Sequence, residues 1–573
     1  MKLLRSLLWF LGRSCVRLRR KSKKGRITSR RYRRFLQEKA LLENDVTNHH
    51  AEEIIKKNEV FREKPDEDKE PIKEEGVRLE LITMLKKFWE VKHCGKLIEE
   101  TIPDRRNPEL VTYSKQSIMM AALSIFLFRM GSGNQYDTRT HDDDEKYAKA
   151  NIAKFIDAPE DRVPVIKTIE TFLKNLEESS INDFMIAFFK DLVLSKFFKQ
   201  HPQIMLTDSF LLAADCVHTH TYERPHKMDL DGNNCCDCCL KRVYNKGTEK
   251  EKTRWLHNTL VFSFVFANGL KIPIYRYPIH AKQVVNFESE SEEKHKQECE
   301  LVALKMALPS IRKAFPRMSL VLLLDGLYAN RPVIQLADEQ RCGYIIVRKE
   351  GCLLSLGKEC NEVAATSNHK KHCTKRRKFT HRSGWSFDQK YEWFNRRYLG
   401  NGVTTHVLRF SEVRTKEKED DQSYHCEWLF SWQLSAKSCE VAARLGRSRW
   451  YVEDLFNILK NRGFALRHDY SRDPRSCFNW QGLALFAFGL FELFRFSETV
   501  KQRGSWPQVV LAKKLIGQLI HTPTEDLFSE ACLSKRIQFR YHFINESQVE
   551  SSGSISEAHE GRGGLQLGRL KAG

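Results

Sequence analysis

The chain has 573 residues, enough for several domains, and 41% of them are hydrophobic, enough for a sizeable core. A formal net charge of +22 favours a polyanionic partner, with nucleic acid ahead of an anionic membrane surface. Sixteen cysteines are too sparse for a disulfide scaffold at this length and suit a reducing cytosol.

In chain order, residues 1–76 read as a basic arm and a charged linker. The opening MKLLRSLLWFLGRSC has only a short apolar patch and no clear small-residue cleavage site, which argues against a signal peptide. RLRRKSKKGRITSRRYRR at 17–34 is either a solvated arm or a contact for nucleic-acid phosphates. Residues 77–200 carry helical periodicity in successive blocks, at 77–100, 113–129, 151–158, 165–178 and 183–198. The longest apolar runs, 118–128 and 482–491, are shorter than the roughly 20 residues that span a bilayer, and they predict buried core helices.

FLLAAD at 210–215 predicts a buried strand ending in Asp215. Two apolar runs flanking Asn268-Gly269 predict a hairpin. A helix over 288–308 leads to SLVLLLD, a second apolar strand ending in Asp325, followed by a helix over 331–340 and a strand over 344–348. Strand-like alternation returns at 405–413 and 427–435, and 478–496 predicts an apolar helix. More than a hundred residues separate Asp325 from Glu453, far more than one strand-to-helix connection needs, so a β-rich insertion is expected over about 345–440. Trp385 and Trp393 in that span read as core residues before they read as base stackers. Residues 546–573, rich in Ser, Gly and Glu, predict a disordered tail.

RSRWYVEDLFNILKNRGFALRH at 447–468 is the stretch with the most chemistry. Val452, Leu455, Phe456 and Leu459 share one side of a helix that stops near Gly463. Arg449, Glu453 and Lys460 fall on another side, within about 40° of one another at roughly 100° per residue. Such a face can hold a divalent metal and grip phosphates, or it can be a solvated face with an i, i+4 ion pair.

This stretch resembles the C-terminal Y-(2)-R-(3)-E-(6)-K signature of DDE transposases of bacterial insertion sequences, in the group whose catalytic domain carries a β-rich insertion. Arg449, Glu453 and Lys460 match its spacing, and Gly446 stands where the family has tyrosine. LLLDGLYAN around Asp325 is similar to the family's second-aspartate motif, and KQSIMMAALSIFLFRMGSGNQYD from Lys115 to its helix-plus-loop.

The resemblance covers roughly 80–545. It implies an α/β fold with an RNase H-like catalytic core over 201–545 and an inserted β-rich subdomain, preceded by an all-α N-terminal DNA-binding region over 77–200. It also implies a DNA-cutting and DNA-joining enzyme acting on inverted-repeat ends and target double-stranded DNA as a homodimer. The expected location is the cytoplasm, at the nucleoid. Asp215, Asp325 and Glu453 would be the catalytic carboxylates, holding two Mg²⁺ or Mn²⁺ ions. Asp208 is a rival for the first position. Arg449, Lys460, Trp450 and His468 would contact DNA. No GxxxxGK[ST] occurs, so no ATP requirement is expected. Two other classes fit the same residues: a DNA-binding regulator without catalysis, and a nuclease that cuts without joining.

A second constellation is His218 and His220 followed by CCDCCL at 235–240. A Cys236–Cys239 CxxC with these histidines could hold Zn²⁺, or the loop could be cysteine-rich without a metal.

Overall fold

The structure, a computed structural model, describes residues 78–541 except 142–144, 146, 159–161, 226, 229, 231–233, 235, 237, 280–291, 382–383 and 417–418. The expected basic arm, linker and tail lie outside the described residues. The chain divides into two units. Leu79–Phe379 with Ser386–Phe543 carries the elements below; the other unit contains few described residues.

Among the described residues, eight α-helices come first: α1 (Leu81–Val91), α2 (Cys94–Thr101), α3 (Lys115–Leu127), α4 (Gly133–His141), α5 (Ala148–Phe155), α6 (Ile166–Asn175), α7 (Glu178–Leu194) and α8 (Phe197–Gln200). α3 starts where the Ser114 hydroxyl accepts from Ser117 N, a side-chain cap of the first free amides. It is buried nearly all round, consistent with its lack of a polar face.

Next come β1 (Phe210–Tyr222), β2 (Leu240–Tyr244), β3 (Lys252–Val265), β4 (Lys271–Pro278), α9 (Glu292–Ala314), β5 (Leu320–Leu324), α10 (Arg331–Glu339) and β6 (Gly343–Val347). The β3–β4 hairpin turns at Asn268-Gly269, where Gly269 takes φ +76°, a conformation costly for residues with a Cβ. α11 (Leu354–Ala365) and α12 (Ser367–His372) then lead to four strands: β7 (Thr374–Thr380), β8 (Ser386–Tyr398), β9 (Thr404–Lys416) and β10 (Glu419–Phe430). The chain continues through α13 (Cys439–Arg447), α14 (Trp450–Asn461), α15 (Pro474–Phe496), α16 (Glu498–Lys501), α17 (Gln508–His521), α18 (Thr524–Phe528) and α19 (Glu530–Ser534). The fold is α/β.

All ten strands join one sheet in the order β2-β3-β1-β5-β6-β10-β9-β8-β7, with β4 also on β3. β3 runs antiparallel to β1, and β4 antiparallel to β3. β5 is parallel to β1, and β6 parallel to β5. The strands β7–β10 extend this same sheet, because β10 pairs with β6 through Trp428↔Val347, Leu429↔Ile346 and Phe430↔Ile345. Trp393, on β8, is buried at 4% exposure, as its core reading expects, and Trp385 is buried as well.

α15 is long and apolar enough to cross a membrane, yet it is buried within the protein. Its flank meets α3, α6, α7 and β4. Gly482 allows that approach: a Cβ there would sit 2.6 Å from Ile181 and from Arg276 Nε.

Candidate active site

β1 does not end at Asp215, as its apolar run suggests, but continues to Tyr222. Backbone pairing with β3 carries it on, since Asp215 pairs with Val261 and His218 with Asn258. On its other side the parallel register with β5 runs Phe210↔Leu320 to Ala213↔Leu323. Asp215 and Asp325 are each five residues beyond the first pair of that register, which sets them side by side. Asp208 is exposed in the bend ahead of β1 and is not among the charges that shift the Asp215 carboxyl, which sets it apart from this group.

Asp325 follows β5 directly and does two things. Its Oδ1 accepts from Leu327 N at 2.9 Å, capping a short turn, while Oδ2 lies 3.4 Å from Lys349 Nζ. Gly326 makes room for that lysine, since a Cβ at 326 would lie 2.5 Å from Lys349 Cγ. Lys349 has no signature in the sequence; only the parallel β5–β6 pairing brings it here.

Glu453 comes from the first turn of α14. Val452, Leu455, Phe456 and Leu459 are all buried, so the apolar stripe sets which way the helix faces. α14 packs on β1, and an ion pair between Asp454 and Lys271 of β4 ties it down. The helix stops where expected, with Gly463 at φ +86°.

Arg449 joins α14 to β1. It is 7% exposed, donates from Nη2 to Glu453 Oε1 at 2.7 Å, and holds Nη1 3.9 Å from Asp215 Oδ2. The i, i+4 pair of the solvated-face reading is therefore present, but on a buried arginine that also reaches a strand carboxylate. Arg449 Nε and Nη1 make no hydrogen bond. A buried guanidinium with donors to spare suits a phosphate.

Burial pushes the Asp215 carboxyl up to about 6; Arg449 opposes this, and Asp325 and Glu453 add to it. Asp215 thus lies in the field of both other carboxylates, an arrangement that a bound cation would relieve. Lys460 sits near enough for Asp215 to raise its pKa, although burial and Arg467 bring it down overall. Trp450 is 47% exposed with the Arg449 guanidinium over its ring at 4.9 Å, so it is not a core residue. His468 is exposed and meets Tyr470 edge-on at 4.7 Å. Partial desolvation lowers its pKa despite Asp469.

Oxygen donors on three separate elements fit a magnesium or manganese ion, which takes one or two carboxylates and completes its shell with water and substrate oxygens.

Gly446, at the signature's tyrosine position, lies in α13 against the buried Trp428 indole. A Cβ at 446 would meet Trp428 Cε2 at 2.5 Å. The space a tyrosine would need is filled by tryptophan.

The cysteine loop gathers elsewhere on the sheet. Cys236 and Cys239 converge with His257 of β3, which the sequence reading passed over. His218 is not in that group, and the side chain of His220 lies outside the described residues. The available signal was a histidine downstream of the CxxC, not upstream.

No protein-family model matches this chain, and a search of curated proteins gives no match to it.

Proposed function

We propose that this chain is a DDE-type transposase that cuts and joins DNA at the ends of an insertion sequence, with an RNase H-like catalytic core. The observation that carries the proposal is that Asp215, beside Asp325 on the neighbouring parallel strand, shares one buried arginine with Glu453 of a distant helix. Supporting it is the strand order β4-β3-β1-β5-β6, an antiparallel meander followed by two parallel strands, which is the order of an RNase H-like sheet.

Asp215, Asp325 and Glu453 would hold the divalent ions. Those ions supply Lewis-acid stabilisation of the attacking and leaving oxygens in phosphodiester transfer. Arg449 neutralises two of the carboxylates from behind and offers its remaining donors to a phosphate. Lys460 and Lys349 bring further positive charge to the same edge, where a DNA backbone would lie. Trp450 presents an exposed aromatic face on which an unpaired base could stack. Water would attack a phosphorus at the element's end and break its P–O3′ bond, freeing a 3′-hydroxyl; that hydroxyl would then attack a second phosphodiester and displace its 3′-oxygen.

The test is strand cleavage and strand transfer on DNA carrying the inverted repeats that flank the gene, with Mg²⁺, by wild type and Glu453→Gln. Wild type is expected to cut and join, while the variant binds the same DNA and does neither. If the variant cuts as well as wild type, the assignment of Glu453 fails; binding without cutting by both proteins overturns the transposase reading.

A further inference from the structure

Higher on the same sheet lies a second cluster of reactive side chains, which the transfer chemistry does not use. β2 pairs with β3 from Leu240↔Leu256 to Tyr244↔Lys252, so Cys239, the residue just before β2, arrives beside His257. A tight turn folds Cys236 over the same spot, with Cys239 N donating to Cys236 O at 3.3 Å. Asn234 fastens both ends of the turn: its Oδ1 accepts from Cys236 N at 2.9 Å, and its Nδ2 donates to Cys239 O at 3.3 Å. His257 Nε2 ends up 3.5 Å from Cys236 Sγ and 3.2 Å from Cys239 Sγ. The three donor atoms lie within 4.8 Å of one another, all three residues are buried, and neither cysteine forms a disulfide. Phe478 of α15 stacks on the imidazole with ring centroids 5.5 Å apart.

We infer that Cys236, Cys239 and His257 bind a zinc ion that clips the β1–β2 connection onto β3. Thiolate and imidazole donors at tetrahedral spacing select zinc over the hard ions suited to the carboxylates. Binding releases the two thiol protons, so Zn²⁺ with two thiolates is neutral, and burial then costs little. These three donors leave one position of the tetrahedron for a further ligand. Among the described residues, Cys236, Cys238, Cys239 and Phe478 form a small core, with Trp255 alongside. The ion's role is structural. His257 is four residues along β3 from Val261, the partner of Asp215, so the clip sits roughly 13 Å from the carboxylates.

Cys238 is buried in the same small core but is not one of the three donors, and it serves as an internal control. The test is metal content of the full chain purified under reducing conditions, followed by exchange with Co²⁺. Wild type and Cys238→Ala are expected to hold about one zinc per chain, and their cobalt forms to show a thiolate-to-metal charge-transfer band. Cys236→Ala, Cys239→Ala and His257→Ala are expected to hold none. If those variants do not fold, X-ray absorption on wild type decides, with sulfur neighbours at about 2.3 Å and nitrogen at about 2.0 Å expected. A wild-type chain that takes up neither metal overturns the inference. So does metal that survives all three substitutions, or a metal shell without sulfur. Neither readout involves DNA, so the outcome is separate from that of the transposase reading.

Discussion

Asp215 and Glu412 are both carboxylates on strands of one sheet, and they are treated in opposite ways. Glu412 is 1% exposed and saturated: Arg414 donates to it at 2.8 Å, Arg447 at 3.0 Å, and Gln389 donates to its other oxygen. Burial alone would raise its pKa, but Arg447, Arg414 and those hydrogen bonds outweigh it and hold the carboxyl below its ordinary value. Asp215 accepts from Cys216 N at 2.8 Å but has only one cation, at 3.9 Å, and two carboxylates nearby, and its pKa is pushed up to about 6. A charge kept for architecture is fully paired inside the protein. Asp215 keeps fewer such partners, and under the proposed function a bound cation would supply the missing one.

The largest expected effects separate the two kinds of carboxylate. Asp215→Asn and Glu453→Gln should each lower Mg²⁺-dependent strand cleavage by at least about 100-fold, measured on end-bearing DNA, without unfolding the protein. Glu412→Gln should do the reverse. Leaving Arg447 and Arg414 facing a neutral amide is expected to cost roughly 3 kcal/mol in urea denaturation, since breaking a buried pair leaves an uncompensated charge. Equal loss of stability in Asp215→Asn and Glu412→Gln would erase the distinction.

Gly446→Tyr would place its Cβ 2.5 Å from the Trp428 indole. Overpacking of this kind should destabilise by about 2–3 kcal/mol, seen as a lower denaturation midpoint. An unchanged midpoint would mean that the indole moves aside easily.

Asp215 also gives a pH dependence whose sign can be worked out. Its folded pKa of about 6 lies above the unfolded value of about 3.9, so the folded chain holds the proton more tightly. The stabilisation is complete below about pH 4 and is lost as pH rises through about 6. Without divalent ions, the stability of Asp215→Asn relative to wild type should therefore grow by about 2 kcal/mol between pH 4 and 7, as followed by urea titration. A flat difference would show Asp215 to be as well paired as Glu412.

The smallest effect belongs to Lys349, which is 62% exposed beside Asp325. Lys349→Ala should change stability by less than about 1 kcal/mol. It should also reduce the salt slope of DNA binding by about one, the signature of a lost phosphate contact.

Much of this molecule was legible in the linear chain, for local reasons. Apolar periodicity locates the core helices, Asn268-Gly269 the hairpin, and Gly463 the end of α14, because each depends on a few neighbouring residues. The same periodicity puts Arg449, Glu453 and Lys460 on one face of α14. Asp215 and Asp325 were visible as carboxylates after apolar runs.

What depended on pairing between distant segments was not legible. The apolar run stops at Asp215, but β1 continues to Tyr222 because β3 supplies it with hydrogen-bond partners. Lys349 reaches Asp325 only through the parallel register of β5 and β6. The cysteine pair meets His257, and not His218 from the nearer upstream segment, because β2 pairs with β3 directly after Cys239. Gly446 reads as a lost tyrosine in the sequence and as the seat of Trp428 in the fold. Periodicity and turn chemistry act over a few residues and are written in the chain. Strand register, and the side chains it brings together, are decided by which distant surfaces bury one another, and only the tertiary structure settles that.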